Sequence, residues 1–236
     1  MVLFGTIVNG LAIVMGAWLG VKIKGFSASM QETVMKAIGL AVIVLGFTMA
    51  LEGQQFLIVI LSLAIGAVIG ERFQLEGKLN HVGAMMENRM KKYGGDGRFA
   101  EGFVAATLLF VVGAMAIIGA LDSGFRQDHS VLLTKSMLDG FSSIVFAAAM
   151  GIGVMFSAIP VVLYQGSIAL MATWIIQIIP EALLDAMIAE ITAVGGIMIM
   201  AIGLNLLGIE KIRVANLLPG IVIAVLFVMM IEWWPL

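Results

Sequence analysis

An all-α polytopic transmembrane helical bundle of about eight spans is the fold class this sequence predicts, on three observations. The chain is 61% hydrophobic and only 12% charged, with a mean hydropathy of +1.12. Soluble domains carry roughly a quarter charged residues, so the solvent implied here is lipid. The apolar residues also run in long stretches without the period-two alternation of a membrane barrel. Backbone groups in hydrocarbon must bond within their own segment, which makes such stretches helices. Finally, a span takes about 20 residues, so the spans consume most of the 236 residues and leave a single integral membrane domain over 1–236.

The elements follow in chain order. The first stretch, 2–21, has no basic leading region and no cleavage site, and reads as a retained span instead of a signal peptide. The others are 34–51, 56–70, 100–121, 131–157, 160–179, 187–209 and 214–232, set off by charges or by Gly and Pro. The fifth and sixth are the hardest to separate, because Leu138 to Ile179 is nearly continuous. Pro160 argues for a break there, since it lacks a backbone donor and clashes with the preceding turn.

Charge supports the count. With the N-terminus outside and eight crossings, the inner connections hold Lys22, Lys24, Arg72, Lys78, Arg89, Lys91, Lys92, Arg98, Lys211 and Arg213, with Lys36 at a helix mouth. Only Arg126 and Lys135 fall on the outer half, the bias the positive-inside rule demands; seven crossings would put Lys211 and Arg213 on the wrong side. The one substantial polar segment, 71–98, is then a cytoplasmic connection. In it Leu75, Leu79, Val82 and Met86 recur at helical spacing, with Glu76, Lys78, Glu87, Arg89, Lys91 and Lys92 elsewhere on the circumference. This predicts an amphipathic helix on the membrane surface or against the bundle, ended by the turn-forming run Gly94-Gly95-Asp96-Gly97.

Several function classes are excluded. The absence of cysteine removes disulfides, thiolate metal sites and thiol nucleophiles. A net charge of −2 gives no footprint for nucleic acid. There is no nucleophile elbow, paired-histidine zinc helix, Walker loop or dinucleotide fingerprint, so neither an enzyme nor a cofactor nor a metal site is expected. In the outer loop 122–130, Asp128 or Ser130 as cap of the next helix explains the polar residues better than a divalent ion does.

A shift of 156 residues places Asn9-Gly10 on Gln165-Gly166 and lays Met15 and Trp18 on Met171 and Trp174; Ala37, Gly39 and Ile43 fall on Ala193, Gly195 and Ile199. On this register spans 1–3 repeat as spans 6–8, inverted in the membrane. Inverted repeats allow a central site to open to either side in turn, and short or Gly/Pro-interrupted helices mark that site. The short span 56–70 and its counterpart with Asn216 and Pro219-Gly220 fit this, although a short span can also simply thin the bilayer.

Ionisable groups inside a bundle cost about 2.5 to 3.5 kcal/mol each on insertion scales, so they face a cavity or a partner. The fifth span is richest in them. Lys135, Asp139, Ser142 and Ser143 share one helical face, with Ser136 and Gly140 beside it, and Asp139 lies roughly 12 Å below the outer boundary. These residues suit an ion or proton site in which Asp139 is the acceptor and Lys135 modulates it; they also suit a structural salt bridge, or a lysine that snorkels outward. Asn9, roughly as deep as Asp139, Gln165, expected near the inner side, and Glu190 are the candidate lining. The amides serve equally as interhelical glue worth about 0.6 kcal/mol each, and Glu190 is deep if its helix begins at Ala182 but interfacial if it begins at Ile191. Asn205 and Asn216 share the amides' ambiguity. Small residues at four-residue spacing, Ala12-Gly16-Gly20, Gly66-Gly70 and Ala149-Gly153, allow close helix approach, within the chain or in a homo-oligomer.

The runs Gly113-Ala-Met through Gly119, Lys135-Ser-Met-Leu-Asp139, Ser157-Ala-Ile-Pro160 with Gln165, and Ala193-Val-Gly-Gly196 followed by Gly203-Leu form one set of landmarks. Ile69-Gly-Glu71 with Leu75-Glu76, and Asn216-Leu-Leu-Pro219, form another. Together they resemble the YqgA/YdfK-like bacterial membrane proteins of unknown function, over nearly the whole chain. The resemblance implies an inner-membrane protein of a family guessed to contain a sodium channel or pump, and supplies no established site residues. Two functions are therefore expected to compete. One is a transporter or channel for a small ion or solute, with the lipid bilayer and its cargo as partners; the other is a non-transporting scaffold or signalling protein that recruits a partner through its cytoplasmic helix.

Overall fold

Long apolar runs become helices wherever glycine or proline does not interrupt them, and the computed structural model of the chain, which describes residues 1–23, 28–90 and 99–233, follows that rule. Lys24, Lys91, Lys92, Arg98 and the Gly94–Gly97 turn lie outside the described residues, as do the side chains of Val82, Met86, Glu87 and Arg89. The helices are α1 (Phe4–Lys22), α2 (Ala28–Ala50), α3 (Phe56–Phe73), α4 (Leu75–Met90), α5 (Phe99–Val111), α6 (Ala114–Phe125), α7 (Ser130–Met150), α8 (Gly153–Phe156), α9 (Ala158–Ile178), α10 (Glu181–Leu207) and α11 (Pro219–Trp233), the last preceded by a 3₁₀ turn, Val214–Leu217. Among the described residues, 7 helices are long and apolar enough to cross a membrane, and the α5–α6 pair makes an eighth candidate, bent by 60°. The amphipathic connection expected within 71–98 is helical as α4.

Two breaks fall elsewhere than the sequence suggested. The expected single span 100–121 is divided at Gly113, whose φ of +133° is a conformation that side-chain-bearing residues avoid. Between the fifth and sixth spans the chain breaks at Gly151, with φ of +81°, and passes through the single turn of α8. Pro160 causes no break: it sits in the first turn of α9, where the missing N–H has no helical partner to lose. The helix α10 begins directly after Pro180, so Glu190 lies about 13 Å along it at 1.5 Å per residue.

The helices gather in two compact units, Met1–Val34 with Asn80–Val111 and Met115–Ile175, and Met35–Leu79 with Val112–Ala114 and Ile176–Leu236. In the first, α1 lies along α7 through its glycines: a Cβ on Gly16 would collide with the carbonyl oxygen of Gly140, and one on Gly20 with that of Ile144. Gly5 meets Leu132 in the same register, so α1 and α7 run parallel. Parallel helices need an odd number of crossings between them, which α2, α3 and the bent α5–α6 pair, taken as one span, supply. Gly153 receives Phe99 and Phe103 of α5, and Gly124 of α6 receives Ala169 and Ala172 of α9. In the second unit Gly66 and Gly70 of α3 meet Gly220 and Asn216 on and beside α11. All three small-residue stripes are thus occupied within the chain.

The repeat register reappears as geometry inside each unit. Asn9 of α1 hydrogen-bonds Gln165 of α9, its counterpart 156 residues on, while Gly10 meets Val162 and Gly166 meets Thr6, so the two helices are antiparallel. In the second unit Gly46 meets Gly196 and Gly39 meets Gly203; these contacts straddle Ile43 and Ile199, which are themselves counterparts. The α3–α11 crossing is antiparallel as well. Counterparts that cross antiparallel at their own matching positions are what a two-fold axis in the membrane plane produces. Trp18 and Trp174, another matched pair, are both exposed, as interfacial belts require.

Candidate functional site

The close approach of α1 to α7 brings Asn9 beside Asp139. Without side chains at Gly16, Gly20 and Gly140 the backbones can touch, and the polar residues one to two turns away are drawn into reach. Lys135 Nζ stands 2.9 Å from each carboxylate oxygen of Asp139. Asn9 Nδ2 donates to Asp139 Oδ2 at 3.0 Å and to Gln165 Oε1 at 3.2 Å. Lys135 and Asp139 are 7% and 6% exposed, and Asn9 and Gln165 are fully enclosed. Four of the sequence candidates therefore form one chain of contacts over α7, α1 and α9.

This pair is not explained by helix stability. Lys135 precedes Asp139 by one turn, the less favourable order for an i, i+4 pair, since it sets the cation toward the helix N-terminus. The cluster is also incomplete. Asn9 Oδ1, Gln165 Nε2, Thr6 Oγ1 and Ser143 Oγ are buried without a hydrogen-bond partner. Buried polar groups nearly always find partners, so an acceptor, a donor and two hydroxyls left over on the elements that carry an ion pair are suited to a polar visitor. Ser143, one turn after Asp139, belongs to the face read from sequence, and Thr6, one turn before Asn9, extends that set.

The remaining candidates have different surroundings. Ser136 is buried, but its hydroxyl donates to the Leu132 carbonyl at 2.6 Å, within its own helix. Glu190 belongs to the second unit, where its Oε1 accepts the backbone N–H groups of Gln54 and Gln55 at 2.8 Å each. Among the described residues no group of three or more His, Cys, Asp and Glu side chains is placed to hold a metal ion.

The second unit contains a polar knot that sequence reading did not assemble. Asn216 Nδ2 donates to Glu71 Oε2 at 2.6 Å, and Asn216 Oδ1 accepts the Glu76 N–H at 2.8 Å. Arg213 pairs with Glu71 at 2.5 Å, and the Ala215 N–H donates to Glu76 Oε2 at 2.9 Å. The landmarks Ile69-Gly-Glu71, Leu75-Glu76 and Asn216-Leu-Leu-Pro219 thereby fasten the α3–α4 corner to the start of α11. Asn205 closes the α10–α11 loop by exchanging two hydrogen bonds with Ile212, at 2.7 and 2.8 Å. These amides are structural ties. In the first unit the cap position of α7 falls to His129, which makes no side-chain cap bond, and not to Asp128 or Ser130 as the sequence suggested. Asp128 Oδ1 instead accepts the Ser130 N–H from one residue further out, at 2.9 Å, and this bond holds the Asp128 carboxyl below its ordinary value.

Comparison with known proteins agrees with this membrane architecture. The chain is similar to YdfK of Bacillus subtilis (strain 168), described as an uncharacterized membrane protein, with 37% identity over 226 residues that cover 94% of this chain and 93% of YdfK. It is likewise similar to YqgA of Escherichia coli (strain K12), described as an uncharacterized protein, with 30% identity over 224 residues, 93% of this chain and 94% of YqgA. No solved structure matches. A family model matches residues 4–229, and this multi-pass membrane chain accordingly belongs to the family described as protein of unknown function (DUF554).

Proposed function

We propose that the chain carries a small ion or solute across a bacterial inner membrane, with its N-terminus outside, and acts as a conduit with no enzymatic chemistry. The observation that carries this reading is the buried Lys135–Asp139 pair, joined through Asn9 to Gln165 and surrounded by polar atoms without partners. A charge pair buried in a bundle has a solvation cost; a site that exchanges its internal contacts for contacts with cargo gives that cost a purpose. The antiparallel crossing of counterpart residues at Asn9 and Gln165 supports an alternation between two related arrangements of the same helices.

The test is flux in proteoliposomes, screened with Na⁺, K⁺, H⁺, divalent cations and small anions. Wild-type protein should pass at least one species, and Asp139→Asn should abolish that flux while remaining folded. Undiminished flux in Asp139→Asn removes the pair from the mechanism. The competing scaffold reading rests on α4, which leaves Lys78, His81 and Met85 exposed; it requires silence across the whole panel and a phenotype lost on deletion of α4.

A further inference from the structure

Glu190 is 2% exposed, deep along α10, and bound on one oxygen only. Its Oε1 accepts the N–H groups of Gln54 and Gln55, the residues that lead into the 18-residue helix α3; its Oε2 has no partner. The partial positive charge at a helix N-terminus holds a carboxylate without a counter-cation. Among the described residues of its unit, no basic side chain assists it. The basic residues of this unit are Lys36, Arg72, Lys78, Lys211 and Arg213, and they belong to the opposite end, where Arg213 pairs with Glu71 and Gly39 packs on Leu207. Of the acids on packed elements, Glu52, Glu181 and Asp185 are exposed, α3 has none before Glu71, the 3₁₀ turn and residues 112–114 have none, and α11 has only Glu232 near its end.

The cover over Glu190 is thin. A Cβ on Gly53 would lie 3.5 Å from Oε2, and the neighbouring loop residues Leu51, Glu52, Gln54 and Gln55 are exposed. Hydrogen bonding satisfies neither charge state: ionised, Oε2 lacks a donor, and protonated, its hydroxyl lacks an acceptor. A divalent metal cation would need several oxygen ligands, whereas a proton needs only the one atom on offer.

We propose that Glu190 is a reversible proton-binding site, taking a proton from water on the side of the α2–α3 loop onto Oε2 and releasing it there, with the hold of Oε1 on Gln54 and Gln55 loosening while the proton is bound.

The test is infrared difference spectroscopy of the full chain in detergent across a pH titration, with hydrogen exchange at Gln54 and Gln55. A protonated-carboxyl band should grow as pH falls and be missing from Glu190→Gln. The protection factor of the two amides, taken against the intrinsic exchange rate at each pH, should fall by roughly tenfold or more on acidification, as the loss of hydrogen bonds to a charged acceptor requires, and be low at every pH in the variant. Glu190→Asp, one methylene shorter, should keep a titrating band and lose the protection, which serves if Glu190→Gln does not fold. An acid-induced band that persists unchanged in Glu190→Gln, or no such band in wild type, overturns the proposal. Absence of flux in wild-type proteoliposomes would count against transport alone and leave this titration standing.

Discussion

Replacing Lys135 and Asp139 separately and together distinguishes a buried pair that works from one that merely holds helices. The ammonium lies 2.9 Å from both carboxylate oxygens and the two residues are 7% and 6% exposed, so either single change strands a charge that water cannot reach. Lys135→Met and Asp139→Leu should each destabilise the fold by about 3–5 kcal/mol. The double variant removes both charges and leaves an apolar surface between α7 and α1. It forfeits the Asn9 hydrogen bond, worth about 1 kcal/mol, and should otherwise regain most of the loss, since buried pairs replaced by apolar residues are often neutral or stabilising. Reversible unfolding in mixed detergent measures the cycle, and proteoliposome flux is measured on the same preparations. A folded double variant without flux is the expected result. Additive losses in the cycle would refute the electrostatic account, and a folded double variant with full flux would leave the pair a purely architectural role.

Other consequences are more local. Gly16→Ala places a methyl group against the Gly140 carbonyl oxygen and should cost about 1–3 kcal/mol by overpacking; unchanged unfolding stability would show that α1 and α7 are less closely apposed than the structure requires. Asn216→Ala leaves the Glu76 N–H and a Glu71 carboxylate oxygen without their partner and should cost about 1–3 kcal/mol, read as faster hydrogen exchange at Glu76. The Asp128 carboxyl is held low by the Ser130 N–H, so its contribution is present above the unfolded value and is lost as pH falls through the lowered folded value. Asp128→Ala should therefore flatten the acid limb of thermal stability, and an identical acid limb would show that the Asp128–Ser130 bond contributes nothing.

What the residues determined by themselves is what lipid acts on locally. Solvation by hydrocarbon sums over each segment, so composition alone marked the spans, the all-α class and the polar connection that became α4. Counting along helices set Asp139 and Asn9 at one depth, as their hydrogen bond requires, but set Gln165 nearer the inner side, whereas it meets Asn9 directly; the 156-residue register was visible as an echo before it was seen as that hydrogen bond between counterparts. Partnership was a different matter. That Ser136 turns back to Leu132, that Glu190 grips the start of α3, and that Glu71, Glu76, Arg213 and Asn216 form one knot all depend on which faces meet. Those faces are set by close approaches at glycines such as Gly16 and Gly70. The same holds for the breaks: Gly113 and Gly151 take positive φ because the packed chain turns there, while Pro160, the stronger signal in one dimension, rests harmlessly in a first turn. Hydrophobicity is a property each residue carries with it, whereas register between helices exists only once two backbones have been pressed together.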